Sequence, residues 1–377
     1  MRAITGVKIV TPNRVLEGYS LIFDRKILKI SKNIPKNIDT IDANGLYLSA
    51  GFIDLHIHGL DGADTMDATR EALDIISNSI VRSGVTSFLP TTMTCSRDRI
   101  REALKNILDN RDGVAGSKVL GVHLEGPFIN PKKSGAQNSK YIQKPDITLI
   151  EDYLEIIKIV TVAPEIDGIR EFINEVGGRY PDILFSIGHT EANYQEAKES
   201  FKWGVRHATH LFNAMGGIHH REPSAVEAVL DDERISCELI ADNIHLHPIY
   251  YSLTYKLKRD RVILVTDAIR ATCLKSGVYE LGGQRVYVDE SGRATLEGGT
   301  IAGSTLRLNE ALRNFYGAVD ISIPELIKLV TVTPAKILNL KLGKIARGYP
   351  ADLVLFDDNF NIRAVFVDGE ERLNSLC

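Results

Sequence analysis

Cysteine is scarce in this sequence, and no two cysteines stand close together. The chain has four, without a Cys-x-x-Cys pair: Cys95, Cys237, Cys273 and Cys377. Clustered cysteines are typical of structural zinc sites and of disulfide-stabilised secreted domains. The sequence therefore argues against both and suits a reducing cytoplasm. We expect the thiols to serve as small apolar side chains, with Cys237 in the core.

Long hydrophobic runs and a strong excess of charge are also missing. No apolar run approaches the roughly 20 residues needed to cross a bilayer. The first residues lack the apolar stretch of a signal peptide. The formal net charge of -4 argues against a general nucleic-acid binder but permits a local basic pocket for a small anion. We expect a cytoplasmic protein with neither membrane nor nucleic acid as partner.

The chain is long enough for one large domain and a smaller one, since it has 377 residues. Residues 1–50 and 341–377 both alternate short apolar stretches with turn residues, which predicts a small β-sandwich domain built from both termini. Residues 51–340 alternate apolar strands with amphipathic helices. Eight such units indicate an α/β fold of the (β/α)₈ TIM-barrel class, although a doubly wound open sheet has the same local pattern. Residues 277–303 resemble a β-hairpin excursion after the eighth strand.

The first strand of this middle region ends in two histidines, His56 and His58. Residues two apart in a strand point to the same side, so both rings project together from its C-terminal end. Imidazole is the commonest protein metal ligand, and the pair would form half of a metal site. An isolated His-x-His is a weak signal, however, because two surface histidines at a strand end give the same pattern.

Further metal-ligand residue types follow at later strand ends. They are His123 and Glu125 after the third strand, His189 after the fifth, His207 and His210 after the sixth, and Asp267 after the eighth. Taken singly, each has a plain alternative as a helix cap or a hydrogen-bonded core residue. In a TIM barrel, however, these ends meet at the active-site face. The set therefore predicts a divalent-metal site with one carboxylate left for acid/base work.

Longer motifs extend this pattern across nearly the whole chain. They are His-Leu-Glu-Gly-Pro-Phe (123–128), Gly-His-Thr (188–190), Ala-Thr-His-Leu-Phe-Asn-Ala-Met (208–215), Arg-Glu-Pro (221–223), Ile-Ala-Asp-Asn-Ile-His (240–245), Val-Thr-Asp-Ala (265–268), Gly-Val-Tyr-Glu-Leu-Gly-Gly (277–283) and the run at 342–354. With the His-x-His pair, they resemble the N-acetylglucosamine-6-phosphate deacetylase family of the amidohydrolase superfamily.

The resemblance implies metal-dependent hydrolysis of the N-acetyl group of N-acetyl-D-glucosamine 6-phosphate to D-glucosamine 6-phosphate and acetate, in amino-sugar catabolism and cell-wall sugar recycling. It implies Zn²⁺ or Fe²⁺, one or two ions per subunit, and a homodimer with sites partly shared across the interface. The implied ligands are Glu125, His189 and His210 for the principal metal, with His56 and His58 for a second ion.

The resemblance also assigns catalytic and substrate-binding roles. Asp267 matches the catalytic carboxylate, and the substrate-binding positions are Ala136, Gln137, Asn213, Ala214, Arg221 and His245. Arg221 and His245 are expected to act on the sugar phosphate across a subunit boundary. Many relatives have a histidine where this chain has Gln137. The Gln137 amide would still donate a hydrogen bond to the acetyl carbonyl, but unlike a histidine it cannot carry charge.

Two other functions remain open. The first is a cyclic amidase of the dihydroorotase or allantoinase kind, which usually has a modified metal-bridging lysine on the fourth strand. Here that strand ends Val-Ala-Pro-Glu (162–165), and the carboxylate comes from the third strand. The second is a non-catalytic barrel scaffold, which should have lost some ligands, whereas all of them are present.

Overall fold

Parallel strands alternating with helices form the larger part of the protein. The computed structural model describes residues 1–376. The parallel strands, first to eighth, are Phe52–Ile57, Val85–Pro90, Lys118–Val119 continuing as Val122–Glu125, Ile157–Val162, Leu184–Ile187, Val205–Ala208, Ser236–Ile240 and Val262–Val265. The arrangement is TIM-like, with an additional β region, as the sequence predicts at this level.

The eight parallel strands form a three-stranded and a six-stranded sheet, because the third strand contributes one segment to each. The two sheets meet at both edges. The third strand is interrupted at Gly121, so that Lys118–Val119 pairs with the second strand and Val122–Glu125 with the fourth. At the other edge, Ile57 forms a parallel bridge with Ala268, just after the eighth strand. Because all neighbouring strands run parallel, their carboxyl ends gather on one side.

Amphipathic helices cover the parallel sheets. The first buries Leu73, Ile76 and Ile80 at helical spacing, and the Thr69 hydroxyl caps it by accepting the Ala72 N–H at 3.1 Å. The helices are Arg70–Ile80, Arg97–Asn110, Ile169–Arg179, Tyr194–Trp203, Ala225–Asp231, Ile249–Lys258, Leu308–Ala318, Ile323–Lys328 and Val332–Ile337.

The connection after the third strand differs from the expected β-then-α pattern. It consists of four short 3₁₀ turns, Pro131–Lys133, Ser139–Tyr141, Ile147–Leu149 and Glu151–Tyr153. Pro131 and Pro145 lack a backbone N–H, and Gly135 adopts a left-handed φ of 55°, so a continuous helix is disfavoured here. The loop instead brings Ala136 and Gln137 to the carboxyl ends of the strands.

Strands from both termini form two further sheets, of four and six strands. These strands are Arg2–Thr5, Lys8–Val10, Val15–Leu16, Ser20–Phe23, Ile27–Ser31, Asp39–Asp42, Tyr47–Ala50, Leu353–Phe356, Ile362–Val367 and Glu370–Asn374. Their inner faces share an apolar core separate from that of the parallel sheets. Phe23 and Phe366 meet across it edge to face, with ring centroids 5.4 Å apart.

Two small antiparallel elements complete the fold near the strand ends. Gly59–Leu60 pairs with Ala63–Asp64. Strands Gly277–Leu281 and Gln284–Val288 form a hairpin, joined by Ala294–Thr295, where the sequence predicts one. The hairpin is tied to the third-strand loop because the Gln284 side-chain amide donates to the Ala136 carbonyl at 2.6 Å.

Three of the four cysteines lie within the described residues. Cys95 and Cys237 are buried and Cys273 is exposed, all three as free thiols, while Cys377 lies outside the described residues. Burial of Cys237 agrees with its expected place in the core. Across residues 1–376, none of the helices combines the length and the apolar character that crossing a membrane requires.

Candidate metal centre and active site

The carboxyl ends of four parallel strands bring the expected metal ligands into one buried cluster. His56 and His58 project from the first strand with their Nε2 atoms 3.3 Å apart. His189 and His210 follow the fifth and sixth strands, and their Nε2 atoms are 3.1 Å apart. Glu125, at the end of the third strand, lies between the two pairs.

The Glu125 carboxylate contacts all four of these histidines. Oε1 lies 3.2 Å from His189 Nε2 and 2.9 Å from His210 Nε2. Oε1 also lies 3.6 Å from His56 Nε2, while Oε2 lies 3.2 Å from His58 Nε2. Two ligand groups therefore share this residue: Glu125 with His189 and His210, and Glu125 with His56 and His58. Within each group the candidate ligand atoms all lie within 4.8 Å of one another.

The outer nitrogens of three of these rings are held by acceptors. Nδ1–H donates from His56 to the Glu238 carboxylate at 3.0 Å, from His58 to the Thr91 carbonyl at 3.2 Å, and from His189 to the Lys133 carbonyl at 2.9 Å. Such bonds fix the tautomer and leave Nε2 free to bind a metal. The donor set and its ring orientations therefore fit a divalent cation.

The electrostatics of the cluster also favour a cation. Burial raises the pKa of Glu125, but the charge of His56 and hydrogen bonds from His189 and His210 hold that pKa well below its usual range. Burial lowers the pKa of His58, yet its contacts with Asp267 and Glu125 outweigh burial and raise that pKa to about 9. Buried carboxylates need compensating positive charge. Protonated histidines supply it, and a divalent cation would replace those protons.

Asp267 borders the cluster on its open side. Its Oδ1 lies 3.2 Å from His58 Nε2 and 3.5 Å from His56 Nε2. Burial raises the pKa of Asp267, but the charges of His56 and His58 hold it below its ordinary value. The side chain is therefore an ionised carboxylate beside the metal ligands, which is the state a proton acceptor needs.

His123 and His207 lie at strand ends but have no nitrogen free for a metal. His123 Nδ1–H donates to the Leu55 carbonyl at 3.1 Å, and its Nε2 lies 2.8 Å from Thr161 Oγ1. Burial, with the charge of His56, lowers the pKa of His123 to about 3, so the ring is neutral. His207 contacts Ser236 and Glu238. Both histidines are hydrogen-bonded core residues, the plain alternative for a lone histidine.

A cavity of about 300 Å³ opens onto the ligand cluster. It brings together the expected residues His58, Glu125, Ala136, Gln137, His189, His210, Asn213, Ala214, His245 and Asp267. Met93, Leu281 and Ile301 add apolar surface that the motifs do not indicate. Leu281 comes from the 277–288 hairpin, so this excursion forms part of the cavity wall.

Gln137 lies in the cavity wall, where its side-chain amide group contacts three neighbouring residues. Its side-chain Nε2 donates to Glu125 Oε2 at 2.6 Å, and its Oε1 accepts the Thr94 N–H at 2.6 Å. The remaining amide hydrogen faces Met93 Sδ, 3.5 Å from Nε2. The amide expected to donate to an acetyl carbonyl is thus bonded to the shared carboxylate in this structure, and its expected role stays a prediction.

The expected phosphate residues lie in two different environments. His245, which was expected to act across a subunit boundary, lines the cavity of its own chain instead, and its Nδ1–H donates to Asp242 at 2.7 Å. Asn213 also lines it, with its amide donating to the His210 carbonyl at 3.1 Å. Arg221 is exposed and contacts His220 at 2.6 Å, outside the cavity. Among the described residues that line the cavity, none is Lys or Arg.

Glu238 is an ionisable residue at the cluster that the strand-end pattern misses. It lies inside the seventh strand, Ser236–Ile240, and is fully buried. Burial raises the pKa of Glu238, but the charge of His56 and a hydrogen bond from His207 hold it well below the usual range. A lone carboxylate within an apolar strand is itself a signal, since an isolated buried charge needs partners.

Comparison with known proteins gives one consistent family. The model of the amidohydrolase family matches residues 47–372. The chain is 39% identical over 375 residues to N-acetylglucosamine-6-phosphate deacetylase of Bacillus subtilis (strain 168), covering 95% of this chain and 94% of that protein. It is 31% identical over 370 residues to N-acetylgalactosamine-6-phosphate deacetylase of Escherichia coli O157:H7, covering 96% of this chain and 97% of that protein.

A solved structure shows the same similarity in three dimensions. The crystal structure of N-acetylglucosamine-6-phosphate deacetylase from Pasteurella multocida superposes with a TM-score of 0.94 at 31% sequence identity. The match covers 99% of this chain and 100% of that one. The similarity therefore includes the terminal β region as well as the parallel sheets.

Metal loading of the cluster should release protons. Without a cation, the raised pKa of His58, about 9, keeps that ring protonated at pH 7, and a ligand nitrogen must lose its proton. We expect titration of metal-free protein with Zn²⁺ at pH 7 to release protons. The number released is measured by calorimetry, as the change in binding enthalpy between buffers that differ in their enthalpy of ionisation. The release should fall at pH values above about 9. Binding without proton release at pH 7 would contradict this charge assignment.

Proposed function

The chain belongs to the amidohydrolase family, and we propose on this premise that it hydrolyses the N-acetyl group of N-acetyl-D-glucosamine 6-phosphate. The products are D-glucosamine 6-phosphate and acetate, in amino-sugar catabolism and cell-wall sugar recycling. The observation that carries the proposal is a cavity in which the ionised Asp267 stands beside two histidine pairs that share Glu125. Relatives named for this activity extend over nearly the whole chain.

Divalent cations would be held by the two ligand groups that share Glu125. One group is Glu125, His189 and His210, and the other is Glu125, His56 and His58. Imidazole and carboxylate ligands suit Zn²⁺ and Fe²⁺ alike. When bound, such a cation supplies Lewis-acid chemistry, making water more acidic and polarising a carbonyl oxygen. Gln137 supports both groups because it fixes the shared carboxylate by a 2.6 Å hydrogen bond.

Proton transfer is the proposed task of Asp267. Its carboxylate would accept a proton from the water that attacks the acetyl carbonyl carbon. It would return that proton to the amide nitrogen as the C–N bond breaks, because an amine is a poor leaving group until it is protonated. Held beside His58 at 3.2 Å, Asp267 reaches the same space as the metal ligands. Acetate and the free amine are then released.

Recognition of the phosphate would need a second subunit. No described lysine or arginine lines the cavity, while a phosphate is best bound by guanidinium or ammonium groups. Arg221 lies exposed on the 216–224 loop. We propose a homodimer in which Arg221 of one subunit completes the cavity of the other, with Asn213 and His245 provided by the cavity's own chain.

A surface near the cavity supports the dimer. Ile249, Leu253 and Leu257, spaced four apart on one helix, are exposed at 60%, 38% and 52%. Tyr250 at the start of that helix packs on Phe212, with ring centroids 5.1 Å apart. Phe212 directly precedes Asn213 of the cavity wall. An exposed apolar stripe of this kind is typical of a protein–protein contact.

The proposal extends to the architecture that carries the site. Closure of residues 51–340 into a (β/α)₈ barrel is supported by the parallel bridges at both edges of the six-stranded sheet, Ile57–Ala268 and Thr91–His123. A small β-sandwich domain of residues 1–50 and 341–377 is supported by the separate apolar core. A cytoplasmic location is proposed from the sequence.

A second candidate substrate differs only in the sugar. One relative is named for N-acetylgalactosamine 6-phosphate, so that epimer belongs in the same assay. The cyclic-amidase alternative has less support, since the fourth strand ends without a lysine. Glu165 there is bonded to Asn130 and Thr190 instead of facing the ligand cluster.

The proposed function is tested by measuring acetate release from sugar phosphates by the wild-type protein and by Asp267→Asn. We expect metal-loaded protein to release acetate from N-acetylglucosamine 6-phosphate faster than from the galactosamine epimer. Asp267→Asn keeps the shape but removes the proton acceptor, so turnover should fall by roughly 10²–10⁴ with KM nearly unchanged. Metal content of the variant is the control for site integrity. Wild-type turnover in Asp267→Asn would remove this residue from the mechanism, and no acetate from either sugar phosphate would refute the function.

Mixing of variants tests the shared phosphate site. Arg221→Ala should lower kcat/KM for the 6-phosphate by about ten- to a hundredfold, because hydrogen bonds to charged groups contribute roughly 1.5–3 kcal/mol. Activity on unphosphorylated N-acetylglucosamine should barely change. If Arg221 acts across the dimer, random exchange with Asp267→Asn subunits creates intact sites and restores about a quarter of wild-type activity. No restoration would place Arg221 on its own subunit's substrate, and equal losses on both substrates would exclude phosphate binding.

A further inference from the structure

Glu238 is a fully buried carboxylate that accepts three hydrogen bonds. Its Oε2 accepts the His56 Nδ1–H at 3.0 Å and the His210 backbone N–H at 3.1 Å. Its Oε1 accepts the His207 Nε2–H at 3.2 Å. One side chain therefore contacts a histidine from each of the two proposed cation groups, through the ring of His56 and through the backbone of His210.

The contact with His56 differs in kind from those of the neighbouring ligands. His58 and His189 donate Nδ1–H to backbone carbonyls, which the fold itself fixes. His56 alone of these three rests on a charged side chain. Its ring position, its tautomer and the charge behind it therefore depend on one residue that a substitution can alter without changing the backbone.

A chain of side chains holds Glu238 in place. Ser236 and Glu238 lie two apart in the seventh strand and point to the same side. His207 bridges them, with Nδ1 at 2.7 Å from Ser236 Oγ and Nε2 at 3.2 Å from Glu238 Oε1. His207 thus has a role without being a metal ligand: it fixes the carboxylate that fixes His56.

Glu238 is not itself a ligand of a third cation group. It lies close to His56 and His123, which could suggest such a group. Both ring nitrogens of His123 are already engaged, by the Leu55 carbonyl and the Thr161 hydroxyl. His56 has Nδ1 on Glu238 and only Nε2 left, which faces His58. The remaining function of the carboxylate is to orient His56.

We propose that Glu238 is a positioning residue for the cation group of His56, His58 and Glu125. By accepting the Nδ1–H of His56, it fixes the tautomer that leaves Nε2 as a ligand, and its negative charge makes the ring a stronger donor. The proposal rests on the cation dependence of the proposed function. It assigns Glu238 to the second cation and leaves the group of Glu125, His189 and His210 to bind independently of the carboxylate's charge.

The substitution Glu238→Gln separates charge from shape. The glutamine carbonyl can still accept from His56 Nδ1 and from the His210 N–H. Its NH₂ group would face His207 Nε2, which becomes an acceptor when His207 donates Nδ1–H to the Ser236 hydroxyl. The buried hydrogen bonds are then preserved, so the variant is expected to fold and to lose only the charge.

Zn²⁺ titration against a competing chelator measures both cation groups without turnover. In Glu238→Gln we expect the weaker of the two dissociation constants to rise about 10- to 100-fold and the tighter one to stay near wild type. His56→Ala should weaken the same constant, and adding Glu238→Gln to it should weaken it little further. A matched control is Asp352→Asn, which removes a buried carboxylate bonded to Lys118 at 2.6 Å, near the opposite end of the first strand. It should change neither constant.

Two results would overturn the role of Glu238. One is unchanged Zn²⁺ binding in Glu238→Gln, and the other is an equal weakening of both constants, which would indicate a general structural loss. If the variant does not fold, the proposal is tested on the wild type instead. Long-range ¹⁵N–¹H spectra of Zn²⁺-loaded protein labelled with ¹⁵N-histidine show which ring nitrogen of His56 carries a proton. His56 should keep a proton on Nδ1, and a metal-bound Nδ1 would refute the proposal. If Glu238→Gln selectively loses Zn²⁺ binding but the wild type releases no acetate from any sugar phosphate, the proposed function is refuted and this inference is not.

Discussion

The Glu125 carboxylate is the group on which the rest of the site depends. It is buried between two histidine pairs and lies within 3.6 Å of a ring nitrogen of each of the four histidines. An ionised carboxylate in such a place is stable only with positive charge and hydrogen-bond donors around it. The histidines, or cations held by them, supply the charge, and Gln137 supplies a neutral donor at 2.6 Å. Changing any of these groups alters the charge balance of the others.

The fold provides these partners from distant parts of the chain. Parallel strands bring their carboxyl ends to one side, so residues between positions 56 and 267 reach the same few ångströms. The third-strand loop adds Gln137 from above Glu125, and the 277–288 hairpin closes the wall with Leu281. Beneath the ligands, Glu238 and His207 hold the ring of His56. The site therefore has rigid strand ends below and longer connections above.

The sequence predicts the parts of this site that follow local rules. Two-residue alternation places His56 beside His58, and the strand-end position of Glu125, His189, His210 and Asp267 predicts their convergence. The resemblance to the amidohydrolase family is confirmed by the match over residues 47–372. Local rules do not separate His123 from His58, because only long-range contacts with Leu55 and Thr161 show that its nitrogens are occupied.

Contacts between distant segments explain what sequence analysis missed. Gln137 lines the cavity, and its side-chain amide group also bonds to Glu125 and Thr94, which depends on how a loop of 3₁₀ turns folds back. Glu238 escaped notice because it lies within a strand and not at its end. Arg221 is exposed and lies outside the cavity of its own chain, and its expected role across a subunit boundary stays a prediction.

The most direct test of the central claim is the cation content and acetate release of Glu125→Gln, measured on the same preparation. The substitution keeps the size of the shared side chain and removes its charge. If Glu125 joins both ligand groups, bound cation should fall in both, and acetate release from N-acetylglucosamine 6-phosphate should fall to background while circular dichroism still shows a folded protein. A Glu125→Gln protein that keeps its full cation content and its turnover would contradict the account.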